Sequence, residues 1–556
     1  MRPTDTSDLW WKTAVVYCLD VATYFDSDGD GIGDLEGLGH RLDYLAELGV
    51  TCVWLMPFYP SPLRDHGYDI ADYYGVHPRV GDLGDLVEVV RTAHDRGMRV
   101  IVDLVVNHTS EKHPWFRAAR RSRTSPSRDY YVWADEPPEV QEPNMFPDVE
   151  DGTWSYDERA GQYYRHSFYR EQPDLDTAHP RVREEIAKVM GFWLQLGVDG
   201  FRVDSAAHVI ASGGAGDGDR DEREHRLLRD LRRALVRRRG SAMLLGEVNL
   251  PYDEQHAFFG GEHGTELAMQ FDFPANQALY LSLARQDARP LARTLASRPA
   301  VDVHSQWANF VRNHDELTLD QLSEDERAEV FDAFAPDESQ RLHDRGITRR
   351  LPSMLEGDPR RVRMVYSLLF SLPGTPVLLY GEEIGMCEHD AVGGRAAVRT
   401  PMQWSTQRGA GFSEAPPSRL AAPIVEGGAG PDHVNVVDQL HDPDSLLRFV
   451  STLAQRYRTT PEIGWGRFEV LEQEHPCVLA HTLRSDDAQL VALHNFAHDG
   501  RLVRLDLTDA DSDTQLLDVL SGRATRPDDQ GRVEIPLDGY GCQWLRVLRP
   551  GDRRLP

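Results

Sequence analysis

Gly200-Phe201-Arg202-Val203-Asp204 follows Gly197-Val198-Asp199 and ends a short apolar run on a carboxylate. A run of this kind between turn residues reads as a buried strand. Arg202 and Asp204 are two apart, so both point to the same face of it. A fixed guanidinium beside a carboxylate favours the ionised form, the state a nucleophilic aspartate needs. The pattern repeats along the chain. Apolar runs at 14–19, 51–56, 99–106, 243–248, 267–273, 307–315 and 376–380 read as further strands. Between them lie segments of helical spacing, such as Leu38, Leu42, Leu45 and Leu48, or Ile186, Val189, Met190, Trp193 and Leu194. Eight strands alternating with helices predict an α/β protein built on a closed parallel (β/α)8 barrel.

The alternation is interrupted once. Residues 109–173 are rich in Trp, Tyr, Pro and Arg without a long period, and they leave from the end of the third strand. Such an excursion predicts an inserted lobe near a functional face. Past residue 460 the texture becomes short β-type runs separated by turn residues, which predicts a C-terminal antiparallel β-sandwich. The expected division is therefore a barrel of residues 1–108 and 174–460, a lobe of 109–173 and a C-terminal unit of 461–556.

Composition narrows the partners. The 556 residues carry a formal net charge of −29, which disfavours nucleic acid and anionic membranes and suits a neutral or cationic small ligand. Five scattered cysteines without C-x-x-C spacing suggest small buried hydrophobes, neither a disulfide framework nor a zinc site. Met1 to Lys12 shows no basic region followed by an apolar run, and no window holds about 18 apolar residues, so a cytoplasmic enzyme is expected. The glycine- and aspartate-rich stretch from Ala211 to Asp221 lacks the G-K-S/T ending of a phosphate loop. Homo-oligomerisation is left open by the sequence.

One loop reads as a cation site. Asp26-Ser27-Asp28-Gly29-Asp30-Gly31-Ile32-Gly33-Asp34 places acidic oxygens at alternate positions. Asp26, Asp28, Asp30 and Asp34 would give side-chain oxygens and Ile32 a backbone carbonyl to a structural Ca2+. The twelfth position is Gly37 where an EF-hand needs a bidentate glutamate, so the loop is of calcium type without being an EF-hand.

Active residues of such barrels sit at the C-terminal ends of the strands. Here those ends carry Asp103, Asn107 and His108, then Arg202 and Asp204, then Glu247, then His314 and Asp315. Carboxylates and histidines on one rim point to acid–base and nucleophilic work. A catalytic metal is a poorer reading, since these strand ends carry no H-x-x-x-H and Arg202 would repel a cation.

The segments Asp103-Leu104-Val105-Val106-Asn107-His108, Gly200 to Asp204, Gly246-Glu247-Val248 and Phe310-Val311-Arg312-Asn313-His314-Asp315 resemble the four ordered signature regions of the α-amylase superfamily, glycoside hydrolase family 13. Within it, Gly67-Tyr68-Asp69-Ile70-Ala71-Asp72-Tyr73, Gln172-Pro173-Asp174-Leu175 and Arg399-Thr400-Pro401-Met402-Gln403-Trp404 are similar to trehalose synthases and oligosaccharide α-glucosidases. The resemblance implies a retaining mechanism with Asp204 as nucleophile, Glu247 as general acid/base and Asp315 as the carboxylate gripping the sugar's 2- and 3-hydroxyls. It further implies that His108 and His314 donate to ring hydroxyls and Tyr68 stacks on the terminal glucose. Asp65 and Arg399 would pair around the distal hydroxyls, with Gln172 and Arg202 also in the substrate site. A pocket closed in this way implies exo-action on short α-glucosides such as maltose.

The chain departs from trehalose synthases at Cys18 and Ala22, at Ser205-Ala206-Ala207-His208 and at Val248-Asn249-Leu250. The latter positions flank the place of the leaving sugar. The glucosyl chemistry is untouched by them, and the acceptor stays open: a second sugar, another hydroxyl compound, or water. A catalytically inactive amylase-like binding protein is disfavoured because all three carboxylates are present.

Overall fold

The computed structural model describes residues 9–211, 225–261, 264–486, 488–507, 510 and 513–549. Most of the Ala211–Asp221 stretch and the first eight residues lie outside them. Eight parallel strands close a barrel: β1 (Val16–Leu19), β2 (Cys52–Leu55), β3 (Arg99–Leu104), β4 (Gly200–Val203), β5 (Met243–Gly246), β6 (Met269–Phe271), β7 (Gln306–Phe310) and β8 (Thr375–Leu379). β1 pairs with both β2 and β8, which completes the ring. All but Arg99, at the start of β3, are buried, as expected of strands covered on both faces.

The covering helices follow the apolar spacing. In α1 (Leu35–Leu48) the leucines at 35, 38, 42, 45 and 48 face inward. Asp34 caps its start by accepting from the Gly37 N–H, and Gly49 ends it at φ 101°, a conformation costly for any other residue. In α2 (Leu83–Asp95) Asp82 and Asp85 form a reciprocal capping box. Pro180 opens α3 (Pro180–Gln195), whose Val182, Ile186, Val189, Met190, Trp193 and Leu194 are buried.

The excursion after β3 folds into a helix, Pro114–Ala119, and a three-stranded antiparallel sheet of Trp133–Ala134, Gln162–Arg165 and Trp154–Asp157. Its backbone returns to the barrel through the His108–Asp174 bridge. After the last helical turns, Arg467–Leu471 begins an antiparallel six-stranded sheet, and Arg501–Asp506 pairs with Arg532–Leu537 beside it. Val491, Leu493, Val503, Leu505, Val533 and Ile535 make a separate apolar core between these two sheets. The opposite face of the larger sheet, through Leu479, Leu483, Leu490 and Trp544, joins the core of the barrel.

Strand register decides what meets at the rim. Asp103 on β3 stands beside Arg202 on β4. Arg202 stands beside Leu245 on β5, two residues before Glu247. A pairing shifted by one residue would turn these side chains to the other face.

Candidate active site

Arg202 is the centre of the arrangement. It is 1% exposed, and its Nη1 donates to Asp103 Oδ1 at 2.5 Å and to Asp204 Oδ1 at 2.6 Å, while Nη2 donates to Glu247 Oε2 at 2.7 Å. One planar cation thus fixes three carboxylates in a rigid fork. The other oxygen of Asp103 accepts from Trp54 Nε1 at 2.8 Å. Ser205 takes a left-handed conformation, φ 43°, directly after Asp204, and its N–H donates to Glu247 Oε2 at 3.0 Å. Strain at a non-glycine residue is here coupled to the aim of a carboxylate.

Asp315 is held from the other side. Its Oδ1 accepts from Arg399 Nη2 at 2.8 Å and lies 3.4 Å from Arg395 Nη1; His314 Nε2 is 3.1 Å from Oδ2. Tyr68 stacks parallel on the His314 ring at 5.7 Å, and the two are joined by a 2.6 Å hydrogen bond between Tyr68 Oη and His314 Nε2. His108 Nε2 bonds the Tyr68 carbonyl at 3.3 Å.

These groups surround a cavity of about 270 Å³. Asp65, Tyr68, His108, Asp204, Glu247 and Asp315 line it. Arg202, His314, Gln172 and Arg399 stand behind that lining and hold it. Among the described residues Arg399 and Asp65 form no direct ion pair with each other. Asp65 accepts instead from Gln172 Nε2 at 2.8 Å, and Arg399 is drawn to Asp315 and the His314 carbonyl. Asp315 is a buried carboxylate directly within reach of that guanidinium, and a close charge outweighs a farther one.

Electrostatics differ from the sequence expectation at Asp204. Burial pushes its carboxyl up to about 7 in spite of Arg202, with Asp103, Asp315 and Asp65 adding repulsion. The guanidinium is shared among three carboxylates, so its charge does not hold each one ionised. Glu247 is likewise raised to about 7 by burial and by Asp204 and Asp315, with Arg202 opposing. Asp315 is the exception. Despite its burial, His314, Arg395, Arg399 and Arg202 hold it well below the usual carboxylate range. Burial lowers both His314 and His108. Of these three, Asp315 is therefore the firmly ionised carboxylate, and Asp204 and Glu247 are a raised pair that binds protons near neutrality.

His208 and Asn249, in the segments read as flanking the leaving sugar, line the cavity, and the sequence reading missed Phe168, Arg345 and Arg395. Arg395 bonds Glu316 through Nε at 2.6 Å and lies over the Phe146 ring at 4.7 Å. It lies only four residues before Arg399, flanked by Gly393-Gly394, and a polar residue on a glycine-rich rim loop was the available signal. Asn249 bonds Thr318 Oγ1 and Asp320 Oδ2 and so ties the β5 end to the segment after β7.

The Asp26–Asp34 loop lies apart from this cavity. Carboxylate oxygens of Asp26, Asp28 and Asp34 come within 4.8 Å of one another. Asp30 lies outside that triad and turns back on the Ile32 N–H at 2.8 Å. Three converging hard oxygens fit a divalent cation of calcium type.

A closed barrel, a lobe leaving β3 and carboxylates after β4, β5 and β7 define a glycoside-processing barrel enzyme. The chain belongs to the α-amylase family: residues 21–335 and 340–466 match its catalytic domain. Residues 488–546 match the C-terminal domain of sucrose-hydrolase-like proteins. It is 39% identical to the trehalose synthase/amylase TreS of Mycobacterium tuberculosis, covering 97% of this chain and 90% of that protein. Identity to a trehalose synthase of Thermus thermophilus is 43%, over 88% of this chain but only 50% of that longer protein. An oligo-1,6-glucosidase of Parageobacillus thermoglucosidasius is 30% identical over 89% of this chain and 92% of its own length. Among solved structures, an α-amylase from H. orenii superposes with a TM-score of 0.78 at 27% identity, covering 97% of this chain and all of that one.

Proposed function

We propose that this protein is a retaining α-glucosyl enzyme of trehalose-synthase type, acting on short α-glucosides such as maltose. The observation that carries the reading is the single guanidinium of Arg202 spanning Asp204 and Glu247 at the rim of a cavity that Asp315 also lines. One fork between two carboxylates suits the short separation of retaining enzymes, about 5 Å, better than the wider gap of inverting ones.

Glu247, raised by burial, is the acid that protonates the leaving oxygen. Asp204 in its ionised form attacks the anomeric carbon, and the glucosyl–Asp204 ester forms as the glycosidic bond breaks. The pair shares protons near neutrality, and the reactive state is the one with Asp204 ionised and Glu247 protonated. Arg202 bonds both groups and so stabilises the one negative charge that the pair carries in that state. Asp315, kept ionised by its cations, grips the ring hydroxyls and supports the positive charge developing in the transition state. Glu247 then serves as base for the acceptor hydroxyl, which takes the glucosyl group and releases Asp204.

The acceptor is glucose, turned over within the pocket to interconvert maltose and trehalose, with water as competitor. The identities to trehalose synthases over nearly the whole chain support this reading. The alternative is a plain exo-acting α-glucosidase, favoured by the likeness to oligo-1,6-glucosidase. Incubation with maltose followed by product separation decides between them. Trehalose as the main product is expected; glucose alone would leave only the hydrolase. In the same reading Asp26, Asp28 and Asp34 hold a structural Ca2+ that stabilises the loop beside β1, and the enzyme works in the cytoplasm. No described helix is long and apolar enough to cross a membrane.

A further inference from the structure

We propose that the protein carries a second small-molecule site that binds a hydroxylated organic anion of monosaccharide size. The site is a cavity of about 370 Å³, larger than the first, beyond the ends of β1 and β2. Its volume lies in the usual range of small-molecule sites, about 300–1,000 Å³. The two cavities have no lining residue in common.

Its chemistry favours an anion. Arg399 lines it and is 3% exposed, and the Nη1 of that guanidinium has no hydrogen-bond partner among the described residues. A buried guanidinium N–H without an acceptor is costly, and a ligand oxygen would relieve that cost. Arg79 stands exposed on the rim, and among the described residues no carboxylate forms an ion pair with it. Two guanidinium groups around one hollow suit a carboxylate or phosphate. Asp20 also lines the cavity and uses one carboxylate oxygen on the Ala22 N–H at 2.9 Å. Its other oxygen calls for a hydroxyl donor on the ligand. Val21, Phe58 and Val80 supply apolar walls for a carbon skeleton.

The position gives the site a consequence. Arg399 donates through Nη2 to Asp315 and through Nε to the His314 carbonyl, and the same residue lines the second cavity. An anion in the second cavity draws the same guanidinium that holds Asp315. Occupancy therefore raises KM for maltose with less effect on kcat, a consequence that rests on the proposed glucosyl reaction, whereas the binding itself does not.

The test is calorimetric titration of the full chain with glucose 6-phosphate, gluconate and, as neutral control, glucose. Each is repeated with a glucose-mimicking inhibitor in the first cavity. At least one anion is expected to bind at millimolar concentration or below, undisturbed by the inhibitor; which of the two binds identifies the phosphate or carboxylate head. Arg79→Ala should weaken that binding about tenfold, the worth of one charge-assisted hydrogen bond. Ala422→Trp, which fills the cavity from its edge, should abolish it and leave maltose turnover unchanged. The proposal falls if neither anion binds, if the inhibitor displaces the anion, or if binding survives undiminished in both variants. A failure of the maltose reaction with anion binding intact would count against the glucosyl reading alone.

Discussion

Asp204 and Glu247 show how strongly a single residue's chemistry depends on what surrounds it. Each is adjacent to a cation, yet burial raises both to about 7. The folded chain therefore keeps protons on these groups that the unfolded chain has already lost. The stability that goes with those protons is fully present below about pH 4 and is lost as pH rises through about 7. Asp204→Asn removes one such group. Its melting temperature should exceed that of the wild type by several degrees near pH 8 and differ little near pH 4, as thermal scans at the two values would show. Its turnover should fall by at least about a thousandfold, because amide oxygen is a poor nucleophile. The rate itself should follow a bell in pH centred near neutrality: protonation of Asp204 ends it on the acid side and ionisation of Glu247 on the basic side. A flat kcat/KM profile between pH 5 and 9 would contradict that assignment.

At the scale of elements, two loops matter more than the strands they join. The Asp26 carboxylate accepts from the N–H groups of Asp28, Gly29 and Gly31 and from Ser413 Oγ, so it shapes the loop before any cation binds. A Cβ on Gly31, at φ 103°, would meet the Arg419 carbonyl oxygen at 2.4 Å, so the close approach of that segment requires glycine. Asp26→Ala should cost about 2–3 kcal/mol, since several buried donors lose their acceptor, and denaturant titration would measure it. Adding calcium to chelator-treated protein should raise the melting temperature, and Asp28→Ala should lose that rise without losing the fold. The segment after β7 is the second loop. Arg345 donates to the Met145 carbonyl at 2.7 Å, and His343 Nδ1 meets Asp148 Oδ2 at 2.9 Å. These contacts join it to the lobe inserted after β3, so two distant excursions bound one cavity.

At the scale of the whole molecule, the C-terminal sheet is fastened to the barrel by a polar seam inside an apolar interface. His481 bonds the Ser371 carbonyl at 2.9 Å, and His494 and Trp544 both bond Ser367 Oγ. Both serines belong to helix Pro359–Ser371, which precedes β8. The two imidazoles stack at 6.2 Å and are fully buried. Burial lowers His481 to about 4 and His494 well below its ordinary value. Their contribution to stability is present above the unfolded value of about 6.5 and is lost as pH falls through that value toward 4. Acid should therefore loosen this seam. A His481→Gln, His494→Gln double variant should show a smaller drop in melting temperature between pH 7 and 5 than the wild type; an equal drop would place the acid sensitivity elsewhere.

The eight strands, the helices between them and the carboxylates at strand ends were readable along the chain, because periodicity and terminal residues are local properties. The Arg202–Asp204 pair was readable for the same reason: two positions apart on one strand share a face. Local reading stopped where partners come from elsewhere. That Arg202 also takes Asp103 and Glu247 depends on strand register around the closed ring. That Arg399 turns to Asp315 and leaves Asp65 to Gln172 depends on how aperiodic loops return to the rim. The proton affinity of Asp204 depends on burial, which exists only after the chain has closed. The linear sequence thus determined which chemical groups the rim would carry, and the tertiary structure alone decided which of them share a charge, because distance and desolvation are properties of the packed molecule.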